Sequence, residues 1–135
     1  MDTLTTKQRS NNMARIRGKD TKPEMYVRRL LHGMGYRYRL HVVDLPGRPD
    51  LAFPCRRKVI FVHGCFWHQH EGCKDATMPQ SNKNFWKPKL LGNVERDRCQ
   101  RRDLESLGWS VLIVWECQLH NDSLTETLVN FLDEQ

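Results

Sequence analysis

The chain lacks any apolar run near 18 residues, so no transmembrane helix is expected. Its opening stretch, MDTLTTKQRSNNMARIRGKDT, is polar and has no apolar h-region; no signal peptide is expected, and a cytoplasmic location is. The cysteine count is five, an odd number in a compartment expected to be reducing. That argues against a disulfide framework and asks instead for metal ligands, a nucleophile or small buried hydrophobes. Internal repeats and low-complexity tracts are also absent. Acidic residues are the scarcer charge, 16 Asp and Glu against 22 Lys and Arg, for a formal charge of +6. The resulting pI of about 9.3 suggests a polyanionic partner, though only weakly, because many basic proteins bind nothing acidic.

A chain of 135 residues fits one domain, spanning 1–135, with a core that needs no disulfide staples. Residues 6–17 read as a short basic helix. Thr21 and Glu24 form a capping box with Pro23 in the first turn, and Val27, Leu30, Leu31 and Met34 follow at helical spacing towards Gly33 and Gly35. Tyr36, Tyr38, Leu40 and Val42 alternate as a strand would. Leu45–Pro49 is a turn, Asp50–Phe53 a short strand, and Lys58–Val62 a continuous apolar strand of central type. Residues 64–82 are irregular. Residues 83–107 read as helical, with breaks near Pro88 and Gly92. A strand over Trp109–Glu116 precedes a last helix, opened by a Ser123–Glu126 capping box and running through Leu132. This order predicts an α/β fold, a mixed sheet covered on both faces by helices.

One stretch, VHGCFWHQHEGC over Val62–Cys73, holds three histidines, two cysteines and two large aromatics. Cys65, His70 and Cys73, with Cys117 at the end of the last strand, make a three-sulfur, one-nitrogen set that suits a closed, structural Zn²⁺ site. The alternative is that they are reduced core cysteines, which their crowding disfavours. Cys55 and Cys99 sit in charged surroundings without ligand spacing and read as incidental. Pro49-Asp50 before a second strand resembles the metal-dependent nuclease pattern PD…(D/E)xK, but Phe61-Val62-His63 replaces its second half. Taken singly, Asp50 is a turn residue, Glu24 a capping acid, and His63 and His68 satisfied loop histidines. Together they suit phosphodiester hydrolysis. Asp50, the Val62 carbonyl and His68 could supply a carboxylate for Mg²⁺, a further oxygen and a base near neutral pKa.

LPGRPD, HGCFWH, NVERDR, LGW and VLIVWEC, in this order and at these distances, resemble the very short patch repair endonuclease family, from about Asn12 to Leu119. The resemblance implies a restriction endonuclease-like fold with a structural zinc site. It also implies a Mg²⁺-dependent enzyme that nicks double-stranded DNA 5′ of the thymine in a T·G mismatch left by deamination of 5-methylcytosine. Residue by residue, it implies that Asp50 holds Mg²⁺ with the Val62 carbonyl and that His68 handles the water proton. His63 and Glu24 would take accessory acid–base and phosphate-contacting positions, and Cys65, His70, Cys73 and Cys117 would hold zinc. Phe66, Trp67 and Trp86 would enter the helix beside the mismatch, Lys89 and Asn93 would read the T·G pair, and Met13 would lie in a segment that clasps DNA. A monomer, mismatch-repair proteins as partners and no membrane association follow on the same footing.

Two departures stand out. Val62 occupies a position often filled by threonine, and HQHEGC carries one residue more between His70 and Cys73 than a histidine-rich HHHHC-type loop. Trp109 and Trp115 are expected in the core. Arg96, Arg98, Arg101 and Arg102 form either a solvated helix face or a set of phosphate contacts. The competing functions are a restriction-like nuclease that cuts intact sites and a zinc-stabilised DNA-binding protein without catalysis.

Overall fold

The computed structural model describes residues 21–134; the helix expected over residues 6–17, and Met13 in it, lie outside the described residues. Helix α1 (Lys22–Gly33) starts where Thr21 accepts the Glu24 N–H on its hydroxyl at 3.4 Å. Val27 and Leu31, one turn apart, are fully buried. The exit is a left-handed Gly35 (φ +96°), after which the Tyr36 N–H returns to the Leu31 carbonyl. Strands β1 (Arg39–Leu40), β2 (Leu51–Phe53) and β3 (Lys58–His63) follow, then helix α2 (Lys83–Ser106), strand β4 (Ser110–Trp115) and helix α3 (Leu124–Asp133).

The four strands form one mixed sheet in the order β1-β2-β3-β4. β1/β2 and β2/β3 are antiparallel, with Leu51 opposite Ile60, and β3/β4 is parallel, with Val62 opposite Val114. Side chains alternate across the sheet as the strand period requires. Leu51, Phe53, Ile60 and Val114 join Val27 and Leu31 of α1 and Leu124, Leu128 and Leu132 of α3 in one core cluster. Ala52, Val59, Phe61 and Val111 join Leu104 of α2 in the other. The sheet is therefore sandwiched by α1 and α3 on one face and α2 on the other. The odd-numbered register of β3 carries His63 to the α2 side.

Several expected boundaries move. The Tyr36–Val42 alternation is realised in side chains more than in a ladder. Tyr36 and Tyr38 both pack edge-on against Phe53, at 6.5 and 6.0 Å, but β1 is only two residues long. It stops at His41, whose φ of +46° leaves the extended region. Helix α2 is continuous through Pro88 and Gly92 rather than broken. The bond lost at Pro88 is tolerated in a helix pinned by fully buried Leu90 and Leu104. The Ser123–Glu126 box does not form: Ser123 makes no cap bond, and its N–H and hydroxyl both donate to Asn121 Oδ1, at 2.9 and 2.8 Å. No described helix is long and apolar enough to cross a membrane.

Candidate active site and metal-ligand cluster

Antiparallel pairing sets Asp50, just before β2, against the end of β3. The Val62 N–H donates to Asp50 Oδ2 at 2.7 Å. The Val62 side chain packs on the first core cluster, so a hydrophobic residue suits this position. From the other side the N-terminus of α1 brings in Glu24, 2% exposed. Its Oε2 accepts from His41 Nε2 at 2.8 Å and from Arg28 Nη1 at 3.3 Å. Burial, the Glu24 charge and a hydrogen bond shared with Glu24 push the Asp50 carboxyl up to about 7, against the lowering effects of the Val62 N–H and His41. A buried carboxyl beside a second acidic side chain forms a site short of positive charge. Ligand atoms of Glu24, His41 and Asp50 lie within 4.8 Å of one another and could hold a cation.

Facing them is a histidine pair. His63 and His68 stack at 3.7 Å with planes 5° apart. His68 Nδ1 lies 2.6 Å from Asp97 Oδ2 on α2. A carboxylate only accepts, so Nδ1 carries the proton and Nε2 keeps a lone pair. His63 is a different kind of residue. Burial first, then the neighbouring His68, lowers its pKa to about 3, and its Nδ1 is buried with no hydrogen-bond partner. A neutral His63 can contact a phosphate but carries no proton charge near pH 7. Its ring lies on the cleft wall, stacked on His68.

All these groups open on one cleft of about 1100 Å³, lined by Glu24, His41, Asp50, Val62, His63, Trp67, His68, Lys89, Asn93 and Asp97, with the cations Lys22, Arg48 and Arg96 on its walls. Asn93 donates through Nδ2 to the Trp67 carbonyl at 3.0 Å, so it also fixes the aromatic loop. Phe66, Trp67 and Trp86 belong to neither core cluster. They pack on one another at 5.2–5.8 Å, partly exposed, with Phe85 (57% exposed) 5.1 Å beyond Trp86. Of the four arginines on α2, Arg96 lines the cleft. Arg98 and Arg101 pair with Glu95 and Glu105 of their own helix, and Arg102 bonds Cys99. That basic run is thus largely a solvated face.

The second cluster sits behind the aromatic loop. The ligand atoms of Cys65, His70, Cys73 and Cys117 lie within 4.8 Å of one another and could hold a metal ion. His70 Nδ1 is 3.7 Å from Cys65 Sγ and 3.4 Å from Cys117 Sγ. The residue added in HQHEGC is absorbed by a turn in which the Cys73 N–H returns to the His70 carbonyl and Gly72 takes φ +77°. Trp115, expected in the core, instead stacks on His70 at 4.1 Å and meets His63 edge-on at 5.3 Å. It forms the wall between the two sites. Trp109 does pack against a core cluster.

Among the cleft residues that sequence reasoning missed are Asp97 and His41. Asp97 had a usable signal: Lys89, Asn93 and Asp97 are spaced four apart on an expected helix and so share a face.

Comparison with known proteins fits this geometry. Residues 1–74 match the family model described as DNA mismatch endonuclease Vsr. The chain is 47% identical over 133 residues to the type II nicking enzyme V.XorIIP of Xanthomonas oryzae, covering 98% of this chain and 97% of that protein. It is 44% identical over 130 residues to the DNA mismatch endonuclease Vsr of Escherichia coli, covering 92% and 83%. To the type II nicking enzyme V.NmeAIP of Neisseria meningitidis it is 40% identical over 131 residues, covering 97% and 93%.

Proposed function

We propose that this chain, which belongs to the DNA mismatch endonuclease Vsr family, cuts one strand of duplex DNA 5′ of the thymine in a T·G mismatch arising from deaminated 5-methylcytosine. It is a DNA endonuclease by family; the T·G preference, the Mg²⁺ requirement and the residue roles are the reading offered here. The observation that carries it is the opposition, across one cleft, of the Asp50–Glu24 carboxyl pair and the His68–Asp97 pair. The sheet with helices on both faces supports a restriction endonuclease-like fold in a single domain, 1–135. One cleft and a one-strand cut suit a monomer; contacts with mismatch-repair proteins are part of the proposal by family likeness alone.

Asp50 and the Val62 carbonyl, with Glu24 close by, would hold Mg²⁺, which when bound neutralises phosphate charge and makes a water more acidic. His68 accepts the water proton on Nε2, and Asp97 holds the ring in that tautomer and stabilises the imidazolium that forms. Lys22, Arg48 and Arg96 position the phosphate backbone. Phe66, Trp67 and Trp86 unstack the mismatch, which costs less to open than a matched pair; Lys89 and Asn93 read it. Cys65, His70, Cys73 and Cys117 fit Zn²⁺: tetrahedral bonds to sulfur and nitrogen span an edge of about 3.6 Å, close to the 3.7 and 3.4 Å separations found.

Duplex oligonucleotides carrying T·G, T·A or C·G in varied contexts, incubated with Mg²⁺, test the reading. A single cut 5′ of the mismatched thymine is expected. Cleavage of both strands of matched duplex, or binding without any cut, would overturn it.

The wedge has its own test. Changing Phe66 and Trp67 together to Ala should weaken mismatched-duplex binding by very roughly 1–3 kcal/mol per lost stacking contact and reduce T·G selectivity. The melting temperature should change little, because neither ring is in a core cluster. A large fall in melting temperature with unchanged affinity would mark both rings as core residues and overturn the wedge reading.

A further inference from the structure

His41 takes no part in the motifs that point to the reaction, yet it lies in the cleft. We propose that His41 is a positioning residue for nicking, a tie that fixes the Glu24 carboxylate against Asp50. This rests on the reading above, in which those two carboxylates serve the reaction.

Three observations carry the proposal. The first is geometric: His41 Nε2 is 2.8 Å from Glu24 Oε2, closer than Arg28 at 3.3 Å. The carboxylate has no proton to give, so His41 donates through Nε2. Second, His41 is held at φ +46°, a left-handed conformation that strains a residue with a Cβ. Its own N–H donates to the Asp50 carbonyl at 3.2 Å, so the strained residue is fastened to the backbone of the residue whose partner it orients. Third, Arg28 and Glu24 are four residues apart on α1 and move together. His41 instead comes from the end of β1, so it fixes the helix relative to the segment that carries Asp50.

The consequence is a rigid separation between two carboxylates that must both face a cation. Hydrogen bonds to metal-binding carboxylates act this way generally, and losing one costs about 10–100-fold in metal affinity or activity.

The test uses the full chain. Single-turnover nicking of a T·G duplex, KM for that duplex, Mn²⁺ affinity of DNA-free protein by electron paramagnetic resonance, and melting temperature are measured for wild type, His41→Ala, His41→Gln and Asp50→Ala. In His41→Ala the nicking rate and Mn²⁺ affinity should each fall about 10–100-fold, with KM for DNA within about twofold. His41→Gln, whose amide N–H can still reach Glu24, should recover to within about fivefold of wild type. Unchanged rate and Mn²⁺ affinity in His41→Ala overturn the proposal. So does a loss that Gln fails to rescue and that follows melting temperature, since that marks a structural role only. Nicking by Asp50→Ala at the wild-type rate would instead sink the underlying site reading, whatever His41 does.

Discussion

Asp50→Ala is expected to reduce nicking by about 10³-fold or more while leaving duplex binding within about twofold. The size follows from the several kcal/mol of charge stabilisation that a cation supplies to phosphoryl transfer, at about 1.4 kcal/mol per factor of ten. Binding should survive because Lys22, Arg48 and Arg96, on the walls of the cleft, would make the phosphate contacts. Single-turnover cleavage of a T·G duplex and fluorescence anisotropy on the same duplex measure the two quantities. Nicking near the wild-type rate would remove Asp50 from the reaction.

The same position should also control stability, with a definite sign. In the folded, metal-free protein, burial beside Glu24 holds the Asp50 proton up to about pH 7, against an ordinary 3.8. The folded state therefore binds this proton more tightly than the unfolded chain. Its contribution is fully present below pH 3.8 and is lost as pH rises through about 7. The groups that set the value are Glu24, His41 and the Val62 N–H. Asp50→Asn removes the titration, so its melting temperature should depend less on pH across that window than the wild type's. Mg²⁺ added to wild type near pH 7 should restore part of the difference. Parallel slopes for the two proteins in chelator would refute the shift.

How far the sequence reveals this site depends on what carries each signal. β3 and β4 are legible because a strand buried on both faces must be apolar throughout, and Val59–Val62 and Val111–Val114 are. Asp50 and its strand partner are legible because an antiparallel neighbour separated by a short turn leaves little choice of register. The cysteine cluster is legible from chemistry, since few roles other than metal binding gather three thiols and an imidazole. Asp97 is harder to see: its neighbours Glu95, Arg96 and Arg98 make the segment read as a charged surface, and only the four-residue spacing from Lys89 and Asn93 turns it towards the cleft. His41 leaves no trace at all. Its position depends on a left-handed backbone at a strand end, and a histidine flanked by Leu40 and Val42 reads as part of the strand. Trp115 misleads for the opposite reason. It ends an apolar run, so it reads as core, but it is the last residue of its strand, where its ring meets His70 of one site and His63 of the other.

Zinc removal should have the broadest effect. We expect one Zn²⁺ per chain by elemental analysis, bound by Cys65, His70, Cys73 and Cys117. Stripping it with a strong chelator, or changing Cys117 to Ala, should lower the melting temperature by roughly 10 °C or more, as expected for a loss of several kcal/mol in a domain of this size. The two core clusters include none of these four ligands, so the sheet should persist. What loosens is the segment from Cys65 to Cys73, and that segment carries Phe66, Trp67 and His68 between its ligands. Nicking should therefore be lost along with T·G selectivity, although Asp50 and Glu24 are untouched. In the free protein burial pushes the Cys65 thiol up to about 12, with further raising by hydrogen bonds to Cys117 and Cys73. The Cys65 sulfur is therefore protonated without a cation, so zinc must displace that proton and its affinity should weaken as pH falls. A protein that purifies without zinc, or whose melting curve is the same in strong chelator, would leave the loop held by contacts such as the His70–Trp115 stack and the Asn93–Trp67 bond, and the metal assignment would have to be abandoned.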